Sequence, residues 1–163
     1  YYGGVKRGRK NVFTSKVNME ISIVQLKTFS LEALETLNKL LKQLDNTATP
    51  LKKIDLEYII DSPANHLFIA KRLDNKQIIG MLTLIVYRIP VWKKGWIEDL
   101  VVDKSYRNKG IATKLIQHAI DCAKAEGVLS LNFTSSPDKE AANKFYHSLG
   151  FEKRNTNVYW IEL

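Results

Sequence analysis

The chain has 163 residues, 45% of them hydrophobic, which is enough for one substantial core and favours a single domain. Its longest apolar run, 78–86, includes Gly80 and Thr83 and is strand-sized, which excludes a membrane helix of about 20 apolar residues. The net charge of +8 is concentrated at one end: residues 1–18 hold five basic side chains and no acid, against 20 basic and 17 acidic residues in the remainder.

The opening 18 residues lack the apolar core of a signal peptide and read as a disordered or artificial leader, with the domain running over 19–163. A basic arm that binds nucleic acid is the alternative. No basic surface interleaved with aromatics follows in the body, so nucleic acid is not an expected partner. The single cysteine, Cys122, cannot form an internal disulfide and sits at a helix-spaced position, as a buried structural thiol would. An intracellular, reducing location, the cytoplasm, fits that reading.

In chain order, "EISIVQL" alternates and predicts a first strand. Ser30 is placed as a helix N-cap, with Phe29 and Leu34 as a hydrophobic staple and Leu31, Leu34, Leu37, Leu41 and Leu44 at helical spacing. After "DNTATP", "LKKIDLEYII" predicts a shorter helix with Leu51, Ile54 and Tyr58 on its inner side, closed by Pro63. "HLFIAKRL" and "QIIGMLTLIVYRI" predict a hairpin across "DNK", and the second strand, apolar on both faces, belongs at the centre of the sheet. "WIEDLVVD" is a further strand. The stripe Ile111, Leu115, Ile116, Ala119, Ile120 and Ala123 predicts a helix that ends at Gly127, and "VLSLNF" completes a β-α-β unit whose strands are parallel. A last helix opens at Pro137 and Asp138, with Ala142, Phe145 and Leu149 on one face, and "FEKR" and "NVYWIEL" predict a closing hairpin. The order is β-α-α-β-β-β-α-β-α-β-β, an α/β (α+β) fold with a mixed central sheet flanked by helices.

The junction "YRNKGIATKL" carries the chemistry. A helix start exposes unpaired N–H groups and the positive end of the helix dipole, which suits a phosphate. Gly110 lets a ligand approach the backbone, and Arg107 and Lys109 add charge. The pattern matches neither a Walker A loop nor G-x-G-x-x-G, so a plain helix start with solvated basic residues stands beside the anion-site reading.

The surrounding segments decide between them. "YRNKGIA" resembles the acetyl-CoA signature [QR]-x-x-G-x-[GA] of the GCN5-related N-acetyltransferase (GNAT) superfamily, with Arg107, Gly110 and Ala112 at its defining positions. "WIEDLVVD" is similar to the fourth strand of that family, and "AANKFYHSLGF" to its A-x-x-F-Y-x-x-x-G-F segment. The resemblance implies an acetyl-CoA-dependent N-acetyltransferase that uses acetyl-CoA as co-substrate and a primary amine of a small molecule or peptide as acceptor. It implies two parallel strands splayed around the pantetheine arm, with Leu100, Val101 and Val102 alongside it. The backbone of Asn108, Lys109, Gly110, Ile111 and Ala112 would hold the pyrophosphate, assisted by Arg107 and Lys109. Many members carry an asparagine where this chain has Lys139, and Asn143 would serve the cofactor instead. Homodimers are common in the family, and whether this chain forms a homodimer is left open by the sequence. A non-catalytic CoA-binding module of the same fold is the rival reading.

Direct transfer needs a neutral amine, oxyanion stabilisation and a proton for the leaving thiolate. Tyr146 resembles the general acid of the family. For the base, Glu98 is the first candidate, read as sharing a strand face with Leu100 and Val102; Asp99 points the other way unless a bulge re-aims it. His66, His118 and His147 show no spacing that groups them with Cys122 or an acid, and no metal is expected.

Overall fold

The computed structural model describes residues 19–163, so the expected leader lies outside the described residues. Five strands form one sheet in the order β1-β2-β3-β4-β5: β1 (Ile21–Gln25), β2 (Asn65–Arg72), β3 (Ile78–Arg88), β4 (Lys93–Val102) and β5 (Leu131–Asn132). The first four are antiparallel and β5 runs parallel to β4. Helices α1 (Leu31–Leu44) and α2 (Lys53–Asp61) cover one face. Helix α3 (Ile111–Ala125) covers the other, and α4 (Glu140–Ser148) packs at its edge. Among the described residues no helix is long and apolar enough to cross a membrane.

The central placement of β3 follows from its sequence. Leu82, Leu84 and Val86 enter the core beneath α3, while Ile78 and Met81 enter the core beneath α1 and α2, so the first half of the strand is covered on both faces; Thr83 and Ile85 beyond it are half-buried. Helix α1 is capped as expected, with the Ala33 N–H donating to Ser30 Oγ at 3.1 Å. Leu37 and Leu40 carry its buried face. In α3 the buried set is Ile111, Leu115, Ile116, Ala119 and Ala123, the stripe the sequence predicts.

Helix α2 turns the other way from its prediction. Ile54 and Tyr58 are 69% and 76% exposed, and Leu56 is fully buried, with Ile59 and Ile60 packed on the same cluster. The short helix offers two apolar stripes, and the sheet covers the one centred on Leu56. The Asn38 side chain fixes the α1–α2 connection, donating to the Leu51 carbonyl at 3.0 Å and accepting from its N–H at 2.7 Å.

The closing hairpin does not form. Residues 151–163 contain no strand, and Val158, Tyr159, Trp160 and Ile161 are all more than 70% exposed. Alternation shows that a segment can bury one face, but "FEKR" is too short and polar to make a stable two-stranded ribbon with it. β5 is likewise shorter than "VLSLNF" predicts, spanning only Leu131–Asn132. Gly95 sits directly under that brief pairing, where an added Cβ would lie 2.4 Å from Leu131 Cδ2.

Candidate active site

β4 contains a bulge that organises the site. Thr83 pairs with Glu98 and Met81 with Val101, so two steps along β3 match three along β4. Asp99 takes up the extra residue at φ 53°, a left-handed conformation that aspartate tolerates better than most residues. The insertion flips the side-chain phase. Ile97 and Val102 belong to the core under α3, and Leu100 packs against it, whereas Val101 belongs to the core under α1 and α2. Glu98, next to Ile97, is therefore on the opposite face from Leu100 and Val102, which corrects the expected alternation. Regular alternation would group Glu98 with Leu100 and Val102, and one inserted residue inverts every assignment across it.

Glu98 is exposed and accepts a hydrogen bond from the Trp96 indole, two residues earlier on the same face. Asp99 is exposed as a residue, yet partial burial first, and the Glu98 carboxylate second, raise its pKa above the ordinary aspartate value.

Pairing between the two parallel strands stops before the bulge. Only Gly95↔Leu131 and Trp96↔Asn132 pair, so from Ile97 onward β4 has no β5 partner. The opened edge holds Leu100, Val101 and Val102. Tyr146 of α4 lies against Phe133, the residue that follows β5, at 4.4 Å between ring centroids, and also against Phe151. Burial raises the Tyr146 phenol above its usual value, so it is protonated at neutral pH. Asn143, one turn earlier, donates its amide to the Ser136 carbonyl at 2.9 Å and braces the loop before α4.

The turn into α3 is held from several sides. Asp103 Oδ1 accepts from the Ser105 N–H at 2.9 Å, and Gln43 of α1 spans the same segment, donating to Asp103 Oδ2 at 3.0 Å and accepting from the Lys104 N–H at 2.9 Å. Arg107 Nε donates to the Val102 carbonyl at 3.1 Å, tying the turn to the end of β4. The Lys109 ammonium lies 5.2 Å from the centre of the Tyr106 ring. Asn108 and Gly110 have φ of 60° and 74°, and no side chain caps α3. An added Cβ at Gly110 would meet nothing within 4 Å, so the first turn, Ile111 and Ala112, opens to a ligand-sized approach. A groove lined by Arg72, Asp74, Tyr106 and Lys109 adjoins this turn, and the Tyr106 hydroxyl accepts from Arg72 Nη1 at 2.9 Å.

Sequence reasoning missed Gln43, Trp96, Arg72 and Tyr106. Only Trp96 had a local signal, its i,i+2 spacing to Glu98 on a strand. Cys122 lies eleven residues beyond Ile111, about 16 Å along the helix axis, away from the strand gap. One expectation about the histidines is overturned. His66, Cys122 and Glu126 do come together, with donor atoms within 4.8 Å of one another.

The model of the Acetyltransferase (GNAT) family matches residues 32–151. The chain is 34% identical over 106 residues to N-alpha-acetyltransferase 30 of Schizosaccharomyces pombe, covering 63% of this chain and 67% of that protein. It is 28% identical over 146 residues to glucosamine 6-phosphate N-acetyltransferase of Trypanosoma brucei brucei, covering 85% and 92%. A solved aminoglycoside N-acetyltransferase in complex with CoA superposes with a TM-score of 0.74 at 21% identity, over 97% of this chain and 98% of that one, a likeness of fold. With the family match spanning most of a chain built around a splayed parallel strand pair, the protein belongs to the acetyltransferase (GNAT) family and is an acetyl-CoA-dependent N-acetyltransferase.

Proposed function

We propose that acetyl-CoA lies with its pantetheine arm in the gap between β4 and β5 and its pyrophosphate on the first turn of α3. The observation that carries this reading is the break in β4–β5 pairing after Trp96, which leaves a strand edge without a partner between the α3 turn and Tyr146. Backbone amides of Leu100 to Val102 would pair with the pantetheine. The N–H groups of Asn108 to Ala112 would bind the pyrophosphate, with Lys109 adding charge. Arg107 acts through its hold on the Val102 carbonyl, which keeps the turn against the strand end. Asn143 supports the loop before α4.

The acceptor is a primary amine of a small molecule or of a protein or peptide. It approaches the sheet face that carries Trp96 and Glu98, bordered by the segments 45–53, 90–95 and 154–157. Glu98, held by the Trp96 indole, attracts the ammonium form, and Asp99 takes a proton from it through water. The raised pKa of Asp99 suits it to this role, because a base works best when its pKa approaches the working pH. The neutral nitrogen attacks the thioester carbonyl to form a C–N bond, and the oxyanion is met by backbone N–H groups of the unpaired β4 edge. Collapse breaks the C–S bond. Tyr146 donates its phenolic hydrogen to the departing sulfur, and the surplus proton on the new amide nitrogen passes through water to the phenolate, giving CoA thiol, the amide and a reprotonated Tyr146, while Asp99 releases its proton to solvent. A lone cysteine with no internal partner suits a reducing compartment such as the cytoplasm.

Steady-state kinetics with a panel of amines that includes a free peptide N-terminus and glucosamine 6-phosphate tests this. Tyr146→Phe should keep its acetyl-CoA affinity and lose about 10²–10⁴-fold in kcat. Asp99→Asn should flatten the acidic limb of kcat/KM against pH, while Glu98→Gln should mainly raise the acceptor KM. Unchanged turnover in Tyr146→Phe, or an unaltered pH profile in Asp99→Asn, removes the corresponding role.

A further inference from the structure

At the far end of α3 from the cofactor turn, three donors from distant parts of the chain meet. His66 enters from the start of β2, and Cys122 and Glu126 stand one turn apart on α3. Their ligand atoms all lie within 4.8 Å of one another. Tetrahedral ligands at zinc bond lengths, about 2.0–2.3 Å, are separated by roughly 3.3–3.7 Å, so a small contraction would seat an ion among them.

The contact between His66 and Glu126 does not explain itself as a hydrogen bond. Nε2 lies 2.8 Å from Glu126 Oε1, yet it is buried and has no partner in hydrogen-bond geometry. The two atoms are thus close without a hydrogen bond aligned between them, and the nitrogen keeps its lone pair or proton for another partner. Leaving such a nitrogen orphaned would cost about 1–3 kcal/mol. Packing fixes the ring: His66 stacks on Phe68, with centroids 6.1 Å apart, and Phe68 meets the edge of His118 at 4.7 Å.

The environment suits a cation that reaches the site from solvent. The Glu126 side chain is 31% exposed, and Cys122 is half-buried. Lys93 Nζ donates to the Glu126 main-chain carbonyl at 3.0 Å and lies 3.8 Å from Oε2, so it braces the outer side of the carboxylate and leaves Oε1 facing the histidine. One imidazole nitrogen, one sulfur and one carboxylate oxygen form a mixed, borderline-soft donor set. Such a set favours zinc and its neighbours over magnesium or calcium, which take oxygen ligands.

We propose that His66, Cys122 and Glu126 form a three-ligand site for a zinc-like divalent cation, with a fourth position open to water, that clips the end of α3 to the start of β2. Binding displaces the thiol proton, and the ion acts on the stability of the α3 end, apart from acetyl transfer.

The test uses the full chain, stripped with a chelator and titrated with Co²⁺ and then Zn²⁺. One Co²⁺ should bind per chain with a sulfur-to-cobalt charge-transfer absorption, Zn²⁺ should displace it, and thermal stability should rise with Zn²⁺ concentration. Cys122→Ser, folded by circular dichroism, should lose that absorption. Glu126→Gln and His66→Gln should each weaken Zn²⁺ binding by at least about tenfold, the lower end of what loss of even an outer-shell partner costs. His147→Ala on α4 should bind as the parent does. Absence of the sulfur band in the folded parent chain, or Zn²⁺ affinity unchanged in both Glu126→Gln and His66→Gln, would overturn the site.

Discussion

Gly110→Ala separates a backbone role in the fold from a role in cofactor binding, because Gly127 supplies a matched control. Both glycines have φ of 74°, and an added Cβ meets nothing within 4 Å at either, so in each case the substitution strains the backbone without a clash. A left-handed conformation costs an L-residue about 1–2 kcal/mol, which in a chain of this size lowers Tm by roughly 2–8 °C. That loss should be nearly equal for Gly110→Ala and Gly127→Ala in a thermal melt. Their cofactor affinities should diverge. Gly127 follows the last turn of α3, whereas a methyl at Gly110 would stand at the helix start, where the proposed pyrophosphate site lies. Losing one charge-assisted hydrogen bond there, about 1.5–3 kcal/mol, weakens binding roughly ten- to a hundredfold. Isothermal titration with CoA reads this directly. Equal affinity losses in the two variants, or none in Gly110→Ala, would refute a pyrophosphate site on this turn.

Three further outcomes check other parts of the structure. Leu56→Ala should destabilise the protein by about 2–5 kcal/mol in urea while Ile54→Ala changes stability by less than about 0.5 kcal/mol; the reverse order would restore the original orientation of α2. Gln43→Ala removes both hydrogen bonds to the segment before the turn and should raise the Kd for acetyl-CoA roughly 3- to 10-fold with little change in kcat. Asp99 has a folded pKa above its ordinary value, so its contribution to stability is present in full below that value and is lost as pH rises through the folded pKa. Asp99→Asn should therefore match the parent in acid and gain relative stability as pH rises through that window, which urea titrations at several pH values would show.

Helix α3 and the turn before it were legible because their signals are local. A 3.6-residue stripe identifies the buried face of α3, and a glycine before a helix marks a left-handed backbone whatever packs around it. Helix α2 was misread because Ile54 and Tyr58 compete with Leu56, Ile59 and Ile60 for the inner side, and only the position of the sheet decides. The final hairpin failed for a related reason, since alternating side chains need a surface to cover. His66 and Cys122 are distant in sequence and meet only because α3 crosses β2, a relation that spacing cannot express.

The bulge at Asp99 bears differently on the two halves of the proposed site. The proposed cofactor half is made mostly of main chain: an unpaired β4 edge and a helix start, set by glycine and by where pairing stops. Its description survives a shift in side-chain phase, because backbone groups occupy both sides of a strand in either register. The acceptor half depends on which side chains stand above the sheet, and one extra residue in β4 moves Glu98 from the face of Leu100 to the face of Val101. A mutation that removed the extra residue should return Glu98 to the face of Leu100 and so raise the acceptor KM in steady-state kinetics while CoA affinity, read by titration, stays near that of the parent.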